Sequence, residues 1–101
     1  MTSSPLTKEE IHTLSKTFKL ISDPTRLSIL FFLQEAEQSV GRIATFLDME
    51  QSAISHQLKT LKDARLVTSR RSGKHVFYSL DDMHVFSILD QALTHIKEED
   101  C

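Results

Sequence analysis

Cysteine, glycine, proline and tryptophan are scarce in this chain of 101 residues. It contains one Cys, which is the last residue, together with two Gly, two Pro and no Trp. Because Cys101 stands alone, an internal disulfide and an intrachain cluster of thiolate metal ligands are excluded. With so few Gly and Pro residues, a long flexible linker or a low-complexity segment is excluded as well.

Long apolar runs are also missing. No stretch approaches the ~20 residues that a transmembrane helix needs, and no basic segment followed by an apolar one marks a signal peptide. With 40% apolar and 26% charged residues, the composition is ordinary for a soluble globular protein. We expect one small cytoplasmic domain, residues 1–101, that does not bind membranes and gains stability by dimerising.

The net charge of −2 hides an uneven distribution of charged residues. Residues 40–80 contain seven basic and three acidic side chains, whereas residues 81–101 contain six acidic side chains and one Lys. A basic centre suits a polyanion such as nucleic acid, and an acidic tail suits a cation or solvent.

Two helix starts can be recognised directly in the sequence. The segment TKEE, Thr7–Glu10, is a capping box that opens a first helix over residues 7–22. Asp23 then caps a second helix, and Pro24 occupies its first turn, where a missing backbone N–H costs nothing.

The later elements follow from changes in apolar periodicity. Residues 39–64 contain a short helix, a tight link and a longer helix, and residues 66–80 contain two strand-like runs joined at Ser72–Gly73. A last helix begins at about Asp81 and continues to residue 98. Four helices, a two-stranded hairpin and one more helix predict a mainly α fold, the winged helix-turn-helix. The helix-turn-helix is then 39–64 and the wing 66–80.

The segment QSAISHQLKTL separates into two faces of one helix. Ile54, Leu58 and Leu61 recur at core spacing, and a polar set lies on the other side. Small hydroxyls with a His and a Lys suit a major-groove helix, because they reach base edges and phosphates without holding the backbone away. The predicted DNA contacts of this helix are Gln51, Ser52, Ser55, His56 and Lys59. The alternative is an ordinary solvated face.

The hairpin tip supplies a second group of predicted DNA contacts, which are Arg70, Arg71, Lys74 and His75. These cations would neutralise phosphates or enter a minor groove, and would add salt-dependent affinity rather than sequence reading. The alternative is a charged tip that only keeps the hairpin edge soluble.

The last helix carries two His residues eleven positions apart, His84 and His95. At about 100° and 1.5 Å per residue they face the same way but lie roughly 16 Å apart, too far to share one metal ion. An antiparallel second copy would bring Asp82 and His84 of one chain to His95 and Glu98 of the other. Two imidazoles and two carboxylates suit tetrahedral Zn²⁺. The alternative is an acidic amphipathic helix without a metal.

An enzyme is disfavoured. Ser55 and His56 are adjacent, but consecutive helical residues point about 100° apart, and no Gly-rich turn for an oxyanion hole accompanies them. We therefore expect no catalytic residues and no small-molecule substrate.

Several segments resemble the ArsR/SmtB family of metal-sensing repressors, along nearly the whole chain. They are LISDPTRLSILFFL, QSAISHQLKTLKDARLV, RRSGKHVFYSL and the helix that begins DDMHV. The resemblance implies a homodimer, built through the N- and C-terminal helices, that sits on an inverted-repeat DNA operator and leaves it when metal binds. The Asp-x-His and His-x-x-Glu spacing of the last helix resembles the zinc-sensing branch and assigns Asp82, His84, His95 and Glu98 as ligands.

The chain departs from the family pattern in two places. SVGRIATFLD has no Cys, so thiolate sensing at that helix is excluded, and Glu50 stands where the family usually has a Ser cap. Zn²⁺ is the expected ion. Co²⁺ can bind to the same donors, whereas Ni²⁺ prefers a larger number of ligands. The remaining alternative is a DNA-binding dimer of the same family that lacks a metal site and is regulated by another signal.

Overall fold

The computed structural model describes residues 5–98, so Cys101 lies outside the described residues. In chain order the elements are α1 (Lys8–Ile21), α2 (Pro24–Glu35), β1 (Gln38–Ser39), α3 (Val40–Leu47), α4 (Gln51–Asp63), β2 (Val67–Ser72), β3 (His75–Leu80) and α5 (His84–Glu98). The predicted class, mainly α with a small β-hairpin, is confirmed. None of the helices in residues 5–98 combines the length and apolar character that crossing a bilayer requires.

The predicted helix caps form. Glu10 donates its backbone N–H to the Thr7 hydroxyl at 3.0 Å, and the Glu10 carboxylate accepts the Thr7 backbone N–H at 2.9 Å. Asp23 accepts from the backbone N–H of Arg26 at 3.1 Å, with Pro24 beside it in the first turn of α2. The reciprocal pair at Thr7 and the single bond at Asp23 satisfy backbone donors that helix ends otherwise leave unpaired.

The sheet differs from the two-stranded hairpin that the sequence predicted. It has three antiparallel strands in the order β1-β3-β2, because Gln38 and Ser39 pair with Tyr78 and Phe77. A two-residue strand is too short to show an alternating pattern, so the sequence carried no signal for it. Ser39 also caps α3 by accepting the backbone N–H of Arg42, so β1 leads directly into the helix-turn-helix.

The hairpin turn lies one residue later than predicted. Ser72 pairs with His75, which leaves Gly73 and Lys74 as the loop. Gly73 has φ = 62°, and two-residue loops that match the twist of a sheet require a positive φ at this place. Gly is the residue that adopts it without a steric penalty.

The core lies between α2, α3, α4 and the start of the sheet. Ile29, Ile43, Ile54, Leu58 and Leu61 are completely excluded from solvent. Helix α5 adds one buried side chain, which is the Phe86 ring in edge-to-face contact with Phe31, with the ring centroids 4.8 Å apart.

The turn between α3 and α4 is a left-handed helix end. Asp48 has φ = 55°, and the Met49 N–H bonds to the Ala44 carbonyl at 3.0 Å. Glu50 precedes α4 as its N-cap but makes no side-chain cap hydrogen bond. Glu50 therefore does not supply the side-chain hydrogen bond that a Ser cap offers at this position.

Arg26 connects three helices inside the molecule. Its Nε donates to Gln57 Oε1 of α4 at 2.7 Å, and its Nη1 donates to the Leu20 carbonyl of α1 at 3.1 Å. Hydrogen bonds from a charged donor are the stronger ones. The position of α4 is therefore tied to α1 as well as to the core.

Candidate nucleic-acid interface and metal half-sites

Helix α4 separates its two faces as the sequence predicted. Ile54, Leu58 and Leu61 have no solvent exposure. The five predicted DNA contacts all lie on the exposed surface, and they are Gln51, Ser52, Ser55, His56 and Lys59. The outward face is thus available to a ligand, and its contact with DNA remains a prediction.

A groove joins the start of α4 to the hairpin tip. Its lining includes Gln51 and Ser55 from α4, and Lys74 and His75 from the hairpin. The structure therefore brings part of the helix set and part of the hairpin set together. Arg42 of α3 lines the same groove, although the sequence interpretation did not single it out. The basic character of residues 40–80, which includes Arg42, was the available signal.

Lys59 is engaged within its own helix. Its Nζ lies 3.3 Å from Asp63 Oδ2, and both side chains are about seven-tenths exposed (74% and 69%). Exposed pairs of this kind contribute little to stability. A phosphate can therefore replace Asp63 as the partner of Lys59 at small cost.

Arg70 is held more firmly than the other cations of the hairpin. Its Nε and Nη2 each donate to the Glu37 carboxylate at 2.8 Å, and its guanidinium carbon lies 4.8 Å from the centre of the Phe77 ring. The hydrogen bond from Arg70 lowers the pKa of Glu37, and the same contact raises the pKa of Arg70. Both groups are therefore fully charged at neutral pH.

One end of α5 presents Asp82 and His84. The helix begins at His84, three residues later than predicted, so Asp82 precedes it. Asp82 Oδ1 accepts the backbone N–H of His84 at 2.9 Å and lies 3.4 Å from the ring Nδ1 of the same residue. Their side chains are 56% and 92% exposed. The structure therefore holds the Asp82 carboxylate against the backbone of His84.

The other end of α5 presents His95 and Glu98, both exposed. At about 100° per residue, His84 and His95 point roughly opposite to the buried Phe86. Within residues 5–98 no group of three or more His, Cys, Asp or Glu side chains could hold a metal ion. One chain therefore carries two separate donor pairs, and it brings Asp82 and His84 together but not the four predicted ligands.

Helices α1 and α5 also expose apolar side chains. Leu14 and Phe18 of α1 are 51% and 44% exposed, and Ile88 of α5 is 51% exposed. Val85 and Leu89 of the same helix pack against the chain's own core. An open groove lies between α1 and the segment that follows α4, and its lining includes Leu6, Leu14 and Leu66, with Val85 of α5 at one side.

Two helices joined by a tight turn, with an exposed polar face on the second and a basic hairpin beside it, define a winged helix-turn-helix DNA-binding protein. Comparison with solved structures agrees. The antimony-specific repressor AntR has a TM-score of 0.85 at 28% identity, over 99% of this chain and 91% of that one. The solution structure of apo-NmtR has a TM-score of 0.80 at 37% identity, over 96% and 82%. The homodimeric winged helix-turn-helix domain of Mb0332 from Mycobacterium bovis, 24% identical with a TM-score of 0.82 over 96% of this chain and 93% of that one, shares the fold.

Sequence comparison identifies the family. The family model described as "Bacterial regulatory protein, arsR family" matches residues 23–69. The regulator NmtR of Mycobacterium tuberculosis is 39% identical over 93 residues, 92% of this chain and 78% of that protein. A transcriptional repressor SmtB homologue of Synechocystis is 35% identical over 92 residues, 91% and 70%. The chain belongs to the ArsR family of bacterial transcriptional regulators, and it is a DNA-binding regulator rather than an enzyme.

Proposed function

We propose that the chain is a metal-responsive repressor that binds an inverted-repeat operator as a homodimer and leaves it when Zn²⁺ binds between paired α5 helices. The observation that carries the proposal is the distribution of donors on α5. One pair lies at each end of its outward face, and neither pair is sufficient alone. As a regulator of DNA, the protein would work in the cytoplasm.

The homodimer is supported by the apolar surface of the terminal helices. Leu14, Phe18 and Ile88 would be covered by the same residues of a second copy, as a two-fold interface requires. The radius of gyration is 15.5 Å, compared with about 13 Å for a compact chain of 100 residues. A chain this extended has surface to bury, and helices 7–22 and 81–98 are the proposed dimerisation elements.

The reading of DNA is assigned to α4 and the wing, which comprises β2, β3 and their turn. Ser52, Ser55 and His56 would reach base edges in the major groove, and Arg71 and Lys74 would contact phosphates. In a two-fold dimer the two α4 helices would enter successive major grooves, about 34–36 Å apart along the duplex.

The donor set fits zinc. Ligands about 2.0–2.1 Å from a tetrahedral ion are about 3.4 Å from one another, and Asp82 Oδ1 lies 3.4 Å from His84 Nδ1. Asp82 and His84 of one protomer would bind with His95 and Glu98 of its partner, and two carboxylates would balance the charge of the ion. The bound ion would cross-link the two helices. Co²⁺ accepts the same donors, whereas Ni²⁺ prefers additional ligands.

Release requires that zinc bind the dimer more tightly off DNA than on it. By linkage, DNA must then weaken zinc binding by the same factor, with a coupling free energy of typically about 1–3 kcal/mol. The cross-linked α5 pair would favour a dimer geometry in which the two α4 helices no longer match successive grooves. The hydrogen bonds from Arg26 to Gln57 and Leu20 connect α4 to α1, one of the two proposed dimerisation helices.

The test is a zinc titration of the dimer on a fluorescent duplex that the protein itself selects from a random pool. His95→Ala and His84→Ala should bind this duplex as the original protein does and should lose zinc-driven release. His12→Ala, an exposed His on α1, is the matched control and should still release. Co²⁺ and Ni²⁺ titrations then rank the metals.

Metal analysis of the dimer separates the proposal from its alternative. The proposed zinc sensor is supported if the dimer binds two zinc ions and if His84→Ala and His95→Ala each abolish this binding. A dimer that binds the duplex but takes up no zinc, and is not released by it, would establish the family member without a metal site. Zinc-driven release that survives both variants would show that the sensing site lies elsewhere.

A further inference from the structure

The side chain of Arg70 crosses the sheet from one edge to the other. Arg70 lies on β2 opposite Phe77 of β3, and Phe77 is paired on its other side with Ser39 of β1. The guanidinium passes over the Phe77 ring and reaches Glu37, two residues before Ser39. One side chain therefore joins β2 and β3 to the residue that precedes β1.

This contact links the wing to the helix-turn-helix. Glu37 lies just before β1, and β1 continues into α3, for which Ser39 is the cap. The bond between Glu37 and Arg70 is bidentate, a geometry that only a guanidinium provides and that fixes direction as well as distance. It therefore restricts the angle at which β2 and β3 stand relative to α3.

The alternation of side chains along β2 places Arg70 away from α4. Val67, Ser69 and Arg71 share one face of the strand. Val67 is buried, and Ser69 accepts a hydrogen bond from Lys62 Nζ of α4 at 2.8 Å. Arg70 lies on the opposite face, with Glu37 and Phe77. Arg71 is thus on the side of the wing that borders α4, and among residues 5–98 it makes no ion pair.

We propose that Arg70 is a positioning residue, which holds the wing through Glu37 and Phe77, and that Arg71 makes the phosphate contact. The sequence had assigned both arginines to DNA. The inference rests on the proposed function, because it requires that the wing touch DNA. It adds that Glu37, an acidic residue next to a DNA interface, strengthens DNA binding.

Whether Glu37→Gln tightens or weakens DNA binding distinguishes two possible roles of Glu37, a repulsive charge near DNA and a residue that holds the wing. If Glu37 were only a negative charge near DNA, Glu37→Gln would tighten binding because repulsion of the phosphates is removed. If Glu37 holds the wing, the same change releases Arg70 and should weaken binding by roughly threefold to tenfold. Arg70→Lys keeps the charge but loses the bidentate bond, and should weaken binding similarly. Arg71→Lys is the matched control and should change affinity by less than about twofold.

The salt dependence separates a phosphate contact from a positioning contact. Affinity for the selected duplex would be measured by fluorescence anisotropy at several salt concentrations. Arg71→Gln should reduce the slope of log K against log salt by about one, as the loss of one phosphate contact does. Arg70→Gln should lower the affinity and leave the slope almost unchanged. The Glu37→Gln/Arg70→Gln double variant should bind no more weakly than either single variant, since both remove the same contact.

Three results would overturn the inference. They are tighter or unchanged binding by Glu37→Gln, unchanged binding by Arg70→Lys, or a slope reduced by about one in Arg70→Gln, the reduction expected of a lost phosphate contact. In each case, if Arg71→Gln still shows the expected loss of affinity and the expected reduction of the salt slope, the wing remains a DNA contact. If Arg71→Gln and Lys74→Gln also bind with unchanged affinity and slope, the wing does not touch DNA, and that part of the proposed function fails as well. An unchanged thermal midpoint in each variant excludes general unfolding as the cause of a loss.

Discussion

The central helices and the terminal helices of this protein bury their apolar side chains very differently. Helix α4 excludes Ile54, Leu58 and Leu61 completely, and α3 excludes Ile43. Helix α1 is longer than α3, with 14 residues against 8, but it buries only Ile21, and α5 buries only Phe86. Both terminal helices are nevertheless as clearly amphipathic in sequence as α4.

The difference separates helices whose apolar faces are covered by the chain itself from helices whose apolar faces stay exposed. Helix α4, the proposed reading helix, is held by its own chain, so its exposed polar face can be presented without help from a partner. The apolar faces of α1 and α5 are exposed in the single chain and form the proposed dimer interface, because a small chain cannot cover every amphipathic helix from within. Folding of the centre and assembly through the ends should therefore respond to different substitutions.

The largest effect on the free energy of unfolding is expected from a substitution in the central helices. Leu58→Ala removes a completely buried side chain and should lower the free energy of unfolding by about 2–5 kcal/mol, since it loses transfer free energy and leaves a cavity. Urea denaturation at fixed protein concentration measures it. Met83→Ala, at a side chain 54% exposed, should stay within about 0.5 kcal/mol. Equal losses in the two variants would remove the contrast between buried and exposed regions.

A smaller effect on folding, but a clear effect on assembly, is expected in α1. Leu14→Glu places a charge in the proposed interface and should raise the dissociation constant of the dimer by at least about tenfold. Analytical ultracentrifugation gives this constant, and circular dichroism verifies that the helices persist. Ser15→Glu adds the same charge one position away, on a neighbouring exposed residue, and should matter less. A dimer that survives Leu14→Glu unchanged would place the interface elsewhere.

The smallest effect is expected at the end of α4. Arg65 has φ = 63°, and the Leu66 N–H bonds to the Leu61 carbonyl at 2.9 Å, which is a left-handed helix end. Because a Cβ atom is strained there, Arg65→Gly should be more stable than Arg65→Ala by about 1 kcal/mol. The comparison with Ala removes the side-chain contribution, and thermal denaturation measures the difference. Arg65→Ala as stable as Arg65→Gly would show that the conformation is not strained.

Several features of the fold could be predicted because their causes are local. The capping box at Thr7 and Glu10 and the cap at Asp23 form from residues three positions apart. The two faces of α4 follow from a period of 3.6 residues. The donor pairs proposed on α5, which remain a prediction, were derived in the same way, since helix geometry converts sequence spacing directly into angle and distance.

Features that join distant segments could not be predicted. Strand β1 has two residues and exists because β3 offers an unpaired edge. Glu37 and Arg70 are 33 positions apart, and nothing in either neighbourhood marks them as partners. One local feature also escaped prediction. Helix α5 starts at His84 rather than at about Asp81, and Asp82 Oδ1 accepts the His84 backbone N–H from just outside the helix.

The sequence alone determined the presence of the helices, the caps of α1 and α2, the separation of α4 into a buried and an exposed polar face, and the class of protein, because each depends on residues within one or two turns of one another. The tertiary structure decided which amphipathic faces are covered, that a third strand completes the sheet, and that Arg70 is paired across it. These outcomes depend on contacts between segments far apart in the chain, where the favourable partner is chosen by packing and charge in three dimensions and not by sequence spacing.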